Sequence, residues 1–237
     1  MGPKYIRREL SAVIEEAYRY FSVITVTGPR QSGKTTLIRN LFPHLPYYSL
    51  ENLDVRSFAE NDPVAFLNQH AEGMILDEVH NAPNLLSYIQ GMVDDDADRR
   101  FILSGSSQFA MLKRITQSLA GRTAVFELLP LSYSEIREIA SDTPLDHLLL
   151  DGFYPAIYSG RNVPKFLYPA YMKTYLDKDV RDLLQIKDMM QFHTFIRLCA
   201  GRIGSLFKAS ELANEIGISS HTITAWLSVL QASYIVA

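Results

Sequence analysis

The feature that most restricts how this 237-residue chain can fold is a glycine-bounded loop held between a strand-like and a helix-like run. Phe21 to Thr27 (FSVITVT) is β-branched and uncharged, the composition of a strand buried on both faces. Gly28-Pro29-Arg30-Gln31-Ser32-Gly33-Lys34-Thr35 follows, and Thr35 to Leu41 reads as a helix that Pro43 stops. Gly-x-x-x-x-Gly-Lys-Thr in that setting is a phosphate-binding P-loop. Its glycines let backbone N–H groups converge on phosphate oxygens without Cβ clashes, and the helix N-terminus behind them adds a positive dipole end. The candidate nucleotide contacts are Gly28, Pro29, Arg30, Gln31, Ser32, Gly33, Lys34, Thr35 and Thr36. Lys34 is placed to reach the β and γ phosphates, and the Thr35 hydroxyl to ligate Mg²⁺. Arg30 faces either phosphate or solvent.

Strands and helices alternate through the first half. A helix is expected over Arg7 to Tyr20, and further strands over Tyr47 to Leu50, Met74 to Leu76, Phe101 to Ser104 and Thr123 to Leu128. Asp62-Pro63 opens a helix to Ala71, another runs from Pro83 to Val93, and Ser107 to Leu119 closes on Gly121 as a left-handed cap. This alternation indicates an α/β parallel sheet covered by helices on both faces. After Pro130 the pattern is helical: Ser132 and Glu135 form a capping box for a helix to Ala140, followed by helices at Leu145 to Leu150, Pro169 to Leu184 and Met189 to Ala200. Ser141 to Pro164, with three prolines and two glycines, is the best linker candidate.

A P-loop needs a second acidic site on a neighbouring strand, and Met74 to Glu78 (MILDE) supplies it. Asp77 at the strand end suits Mg²⁺, and Glu78 is free to polarise an attacking water. A carboxylate directly after Asp77 favours hydrolysis over transfer to a second substrate. The next strand ends Ser104-Gly105-Ser106-Ser107, where Ser106 is the choice for holding the γ-phosphate or the lytic water, or else caps a helix. Arg122, after Leu119-Ala120-Gly121, can neutralise charge on the γ-phosphate in cis or from a neighbouring subunit, or is a plain surface arginine.

Several classes are excluded. Asp77-Glu78-Val79-His80 fits the box of helicases, but the helical remainder leaves no room for their second motor domain. No Asn-Lys-x-Asp guanine reader and no Gly-x-Gly-x-x-Gly dinucleotide site occur, so ATP is the expected nucleotide. A balance of 23 Lys and Arg against 26 Asp and Glu gives no global attraction to nucleic acid. No apolar run of about eighteen residues exists to span a membrane, and Glu9, Glu15 and Glu16 interrupt the basic N-terminus where a leader would continue. With one cysteine, Cys199, no disulfide forms within the chain; a cytoplasmic protein is expected.

Glu211 to Leu230 fits a helix-turn-helix, with Ala213 small at the crossing, Gly217 at the turn and Ser219 as the second cap. Its second helix contains no Lys or Arg, a poor start for DNA binding, although Lys187, Arg202 and Lys208 lie nearby. Tyr234-Ile235-Val236 reads as the first strand of a wing.

This motif set resembles a family of prokaryotic AAA-type ATPases, ATP-binding proteins with a C-terminal domain of unknown function. The resemblance rests on VTGPRQSGKTTL (26–37), ILDEVHNAPNL (75–85), FILSGSSQ (101–108), SLAGR (118–122), LLPLSYSE (128–135), GFYP (152–155) and YMKTYLDKDV (171–180), in order along the chain. It implies a core of the AAA-like, additional-strand catalytic-glutamate type over 1–140, a helical connector or lid over 141–186, and a winged-helix-like start of the C-terminal domain over 187–237. It further implies that this chain lacks the final region of the family, which is related to restriction-endonuclease folds. His80 and Asn81 depart from the family's commoner Gln and basic residue. The combined expectation is Mg-dependent ATP hydrolysis that moves the C-terminal helices. Lys34, Glu78, Ser106 and Arg122 are its catalytic set, Thr35 and Asp77 its metal set, and a homo-oligomer or DNA its candidate partners. The alternative is a non-enzymatic DNA- or protein-binding module switched by nucleotide.

Overall fold

A computed structural model describes residues 5–105, 115, 118–174 and 188–236. Five parallel strands, β1 (Val23–Thr27), β2 (Tyr47–Ser49), β3 (Gly73–Asp77), β4 (Arg100–Ser104) and β5 (Thr123–Glu127), form one sheet in the order β2-β3-β4-β1-β5. One strand, β4, therefore stands between the P-loop strand β1 and the acidic strand β3, as the additional-strand type requires.

Every residue of β1 and β3 is buried, and alternate side chains feed two cores. Val23, Met74, Leu76, Phe101 and Leu103 pack on one face against α3 (Leu53–Asn61), α4 (Pro63–Leu67) and α5 (Leu85–Asp95) through Ala59, Phe66, Leu86 and Ile89. Ile24, Val26, Ile75 and Ile102 pack on the other against Ile14 of α1 (Leu10–Ala17) and Leu37 and Ile38 of α2 (Lys34–Leu41).

The predicted elements recur with shifted ends, and four differences stand out. Helix α3, capped by Asn52, was not expected, because Ala59 is its one buried residue and so little apolar period marks it. The helix opened by Asp62 stops at Leu67 rather than Ala71. The proline- and glycine-rich stretch after Ser141 is packed structure: α7 (Leu145–Asp151) and α8 (Pro155–Tyr158) set Leu148 and Tyr158 against Ile6, Leu131 and Ile136, the last from α6 (Tyr133–Ile139). Helix α9 (Pro164–Tyr171) begins before Pro169 and carries it inside. The capping box of Ser132 and Glu135 and the left-handed Gly121, at φ +78°, stand as read from sequence. The predicted helix over Ser107 to Leu119 falls largely, and Tyr175 to Leu184 wholly, outside the described residues.

The chain divides into two compact units, residues 1–163 and 164–237. In the second, α11 (Ala209–Ile216) and α12 (Ser220–Ala232) make the expected helix-turn-helix, with Gly217 at φ +80° and Ser219 accepting from the Thr222 amide. Leu212, Ala213, Ile223, Trp226 and Leu230 close on Phe192 and Phe195 of α10 (Met189–Ala200), Trp226 meeting Phe192 edge to face at 5.2 Å. The wing strand expected at 234–236 is absent from the described residues. Tyr234 instead turns left-handed, at φ +59°, and the Ile235 amide returns to the Leu230 carbonyl at 2.9 Å, so these residues terminate α12.

Candidate nucleotide site

Thr27, Asp77 and Ser104 are the last residues of β1, β3 and β4, and the parallel register brings these three ends together. The chain leaves β1 toward β2 on one side and leaves β4 toward β5 on the other. Ligand sites of open α/β sheets form at such a reversal, beyond the carboxyl ends of the strands.

The loop there is strongly shaped. Gly28, Gln31 and Gly33 have φ of +137°, +64° and +96°. Alternating backbone handedness of this kind turns N–H groups into an anion-binding concavity. Glycine is required at 28, where a Cβ would stand 2.2 Å from the Leu128 carbonyl oxygen. Helix α2 starts at Lys34, and its N-cap, Gly33, provides no side-chain hydrogen bond to the first turn.

Lys34 is buried, and its ammonium donates to the Gly28 and Pro29 carbonyls, each at 2.9 Å. Burial lowers its pKa, the charges of Glu78 and Asp77 oppose that, and Arg30 adds to it. Arg30, left between phosphate and solvent by the sequence, is therefore near enough to act on Lys34.

Asp77 is the hub. Its Oδ2 accepts the Thr35 hydroxyl at 2.7 Å and the Tyr47 hydroxyl at 2.8 Å, and its Oδ1 accepts the Ser104 hydroxyl and the Glu78 amide, the latter at 3.1 Å. Tyr47 and Ser104 were missed as site residues. A tyrosine in a three-residue strand carries no motif, and Ser104 could have been found as the polar end of an otherwise apolar strand. The Tyr47 hydroxyl is pushed up to about 12, first by burial and then by its hydrogen bond to Asp77. Thr35 and Asp77 form a hard-oxygen pair that suits Mg²⁺, and because the Thr35 proton goes to Asp77, its lone pairs remain for a cation.

Glu78 is a non-glycine residue in left-handed backbone, φ +53° and ψ +47°, ahead of a short 3₁₀ turn at Val79–Asn81. Its Oε2 lies 3.2 Å from His80 Nδ1. Ser106 lies outside the described residues.

Arg122 is elsewhere. Its carbonyl accepts from the Val23 amide at the start of β1, whereas the P-loop begins after Thr27 at the other end. Five strand residues at about 3.3 Å each separate the two by roughly 16 Å. Its guanidinium meets Asp94 with both branches, Nε to Oδ1 at 2.5 Å and Nη2 to Oδ2 at 2.7 Å. That hydrogen-bonded pairing raises the Arg122 pKa and lowers that of Asp94. The structure does not bring Arg122 to the P-loop of its own chain.

A parallel sheet with β4 inserted, a left-handed glycine loop on α2 and a Thr–Asp pair at the strand ends define a P-loop nucleoside-triphosphatase fold. The chain carries an AAA domain followed by a C-terminal domain of unknown function: the family model described as AAA domain matches residues 20–137, and one described as a domain of unknown function (DUF8612) matches 142–237. The uncharacterized proteins Rv2008c of Mycobacterium tuberculosis and Mb2031c of Mycobacterium bovis are each 30% identical over 239 residues. The match covers 97% of this chain and 52% of theirs, so the chain spans about half the length of these relatives. The Walker-type ATPase PABY2304 of Pyrococcus abyssi superposes with a TM-score of 0.64 at 14% identity, over 97% of this chain and 90% of that one, a likeness of fold. Among the described residues no helix is long and apolar enough to cross a membrane.

Proposed function

We propose that this protein binds Mg–ATP on the 28–36 loop and hydrolyses it, nucleotide state moving the C-terminal helices. The observation that carries this reading is the junction of Thr35, Asp77 and Glu78 at the strand ends, with the buried Lys34 ammonium beside it. The loop amides and Lys34 hold the β and γ phosphates, Lys34 exchanging its two loop carbonyls for phosphate oxygens. Thr35 and Asp77 would hold Mg²⁺, which when bound would supply positive charge against the phosphates. Glu78 takes the proton of the water that attacks the γ-phosphorus, and ADP and phosphate leave. Ser106 contacts the γ-phosphate. Arg122, partly exposed at the opposite sheet end, acts on the nucleotide of a neighbouring copy in a homo-oligomer.

Changing Glu78 to Gln keeps the side chain's size and removes its basicity. Turnover should drop about a hundredfold or more while ATP stays bound; undiminished hydrolysis would remove Glu78 from this role. The competing reading, a nucleotide-switched binding module without turnover, is favoured by His80, which stands against the carboxylate that hydrolysis needs. A protein partner suits α12 better than DNA does: it carries no Lys or Arg, and the nearby Arg202 and Lys208 are paired with Glu215 and Glu211. Turnover measured with and without duplex DNA separates the readings, and any DNA binding should weaken steeply with salt.

A further inference from the structure

A buried ion pair, Arg8 with the capping-box residue Glu135, touches the P-loop. Arg8, 6% exposed, precedes α1, and Glu135, 4% exposed, lies in α6. Arg8 Nε donates to Glu135 Oε1 at 3.0 Å, and Nη2 donates to the carbonyls of Leu129 and Pro130 at 2.7 and 3.1 Å. The remaining branch, Nη1, donates to the carbonyl of Ser32 inside the loop at 2.8 Å. Glu135 is held in turn by two backbone donors, accepting the Glu9 amide at 2.7 Å and the Ser132 amide at 2.8 Å.

The Ser32 carbonyl shares its peptide plane with the Gly33 N–H. In a trans peptide the two point in opposite directions, so a group that fixes the carbonyl also fixes the amide. Gly33, at φ +96°, has backbone freedom to rotate that plane, and a Cβ there would meet Arg8 Nη1 only at 3.9 Å. The start of the loop is set otherwise, with Gly28 against the Leu128 backbone. Both anchors lie on one segment, 128–130, directly after β5.

We infer that Arg8 is a positioning residue for phosphate binding: paired with Glu135, it holds the Ser32 carbonyl away from the phosphate site and so aims the Gly33 amide into it. This rests on the 28–36 loop being the nucleotide site. An ammonium at position 8 keeps the charge but cannot reach three carbonyls and a carboxylate from one rigid fork.

The test is nucleotide affinity of wild type, Arg8→Lys, Arg8→Ala and Glu135→Gln, read with fluorescent ATP, ADP and adenosine analogues beside thermal unfolding. Arg8→Lys should stay folded and bind ATP and ADP about tenfold or more weakly, with adenosine unchanged. Arg8→Ala should regain part of its ATP affinity when ethylguanidinium is added below denaturing concentration, and unfolding of that one variant leaves Arg8→Lys to decide. Glu135→Gln should fall between wild type and Arg8→Lys. ATP binding by Arg8→Lys within twofold of wild type overturns the inference. So does equal loss for all three ligands, or loss only in step with unfolding. A wild type that binds no nucleotide refutes the site itself, a distinguishable result.

Discussion

Tyr47→Phe removes one oxygen and its hydrogen from the Asp77 cluster. The Tyr47 phenol is pushed from 10.0 to about 12, by burial foremost and next by its hydrogen bond and proximity to Asp77. At 1.36 kcal/mol per pH unit, a shift of two units is at most about 2.7 kcal/mol. The ring is less than half buried, so solvent screening reduces this to about 1 kcal/mol. A hydrogen bond to a carboxylate, roughly 1.5–3 kcal/mol when well buried, gives a similar figure after the same discount. The folded-state pKa lies above the unfolded value, so this stability is complete below pH 10 and is lost as pH rises through about 12. Urea unfolding of wild type and Tyr47→Phe should therefore show a gap of about 1 kcal/mol at neutral pH that closes between pH 10 and 12. Tyr18 and Tyr158, also raised by burial, titrate in both proteins and cancel. With one donor fewer on Asp77, half-saturation by Mg²⁺ should rise a few-fold. A stability gap that stays constant to pH 12 would refute the hydrogen bond to Asp77.

Two further substitutions probe the frame of the site. Gly28→Ala forces a Cβ into the Leu128 carbonyl and should lose about 3 kcal/mol or more, whereas Gly33→Ala makes only ordinary contacts, Pro155 Cγ at 3.8 Å and Arg8 Nη1 at 3.9 Å, and bears left-handed strain alone, about 1 kcal/mol; equal losses in urea melts would contradict the loop geometry. Arg122→Ala should leave ATP affinity at dilute protein concentration and thermal stability nearly unchanged, since its exposed pair with Asp94 lies at the far sheet end. A large drop in monomer affinity would place Arg122 at its own P-loop.

The sheet and the phosphate loop were legible because each carries a local pattern. Continuous apolar runs marked β1, β3 and β4, and the glycine spacing marked the turn between β1 and α2. Residues that work through distant contacts left no such trace. Tyr47, Ser104 and Arg8 reach the site only because parallel register and the return of the chain after β5 bring separate segments together. Ser132 and Glu135 were read correctly as a capping box, yet the same Glu135 carboxylate also holds Arg8, which lies far from it in sequence. Arg122 shows a choice that local pattern leaves open: its place after a glycine cap suits a nucleotide contact in cis or from a neighbouring subunit, and strand direction carries it to the sheet end away from its own P-loop. The prolines and glycines of 141–163 suggested a linker because composition does not reveal that Leu148 and Tyr158 have a surface to pack on.

Glu78 separates stability from activity most sharply. Its left-handed backbone costs about 1 kcal/mol for a side chain such as Glu, while asparagine adopts this region readily. Glycine would relieve the strain as well, but it loses about 0.5–1 kcal/mol through the unfolded chain, which hides the gain. Glu78→Asn should therefore be more stable than Glu78→Gln by about 0.5–1 kcal/mol, although both lack the carboxylate and both should be inactive. The comparison controls for the lost charge and for the 3.2 Å approach of His80, leaving backbone conformation as the main difference. Chemical denaturation of the two variants reads it directly. If Asn at 78 is no more stable than Gln, the left-handed strain at this position is not stored in the fold.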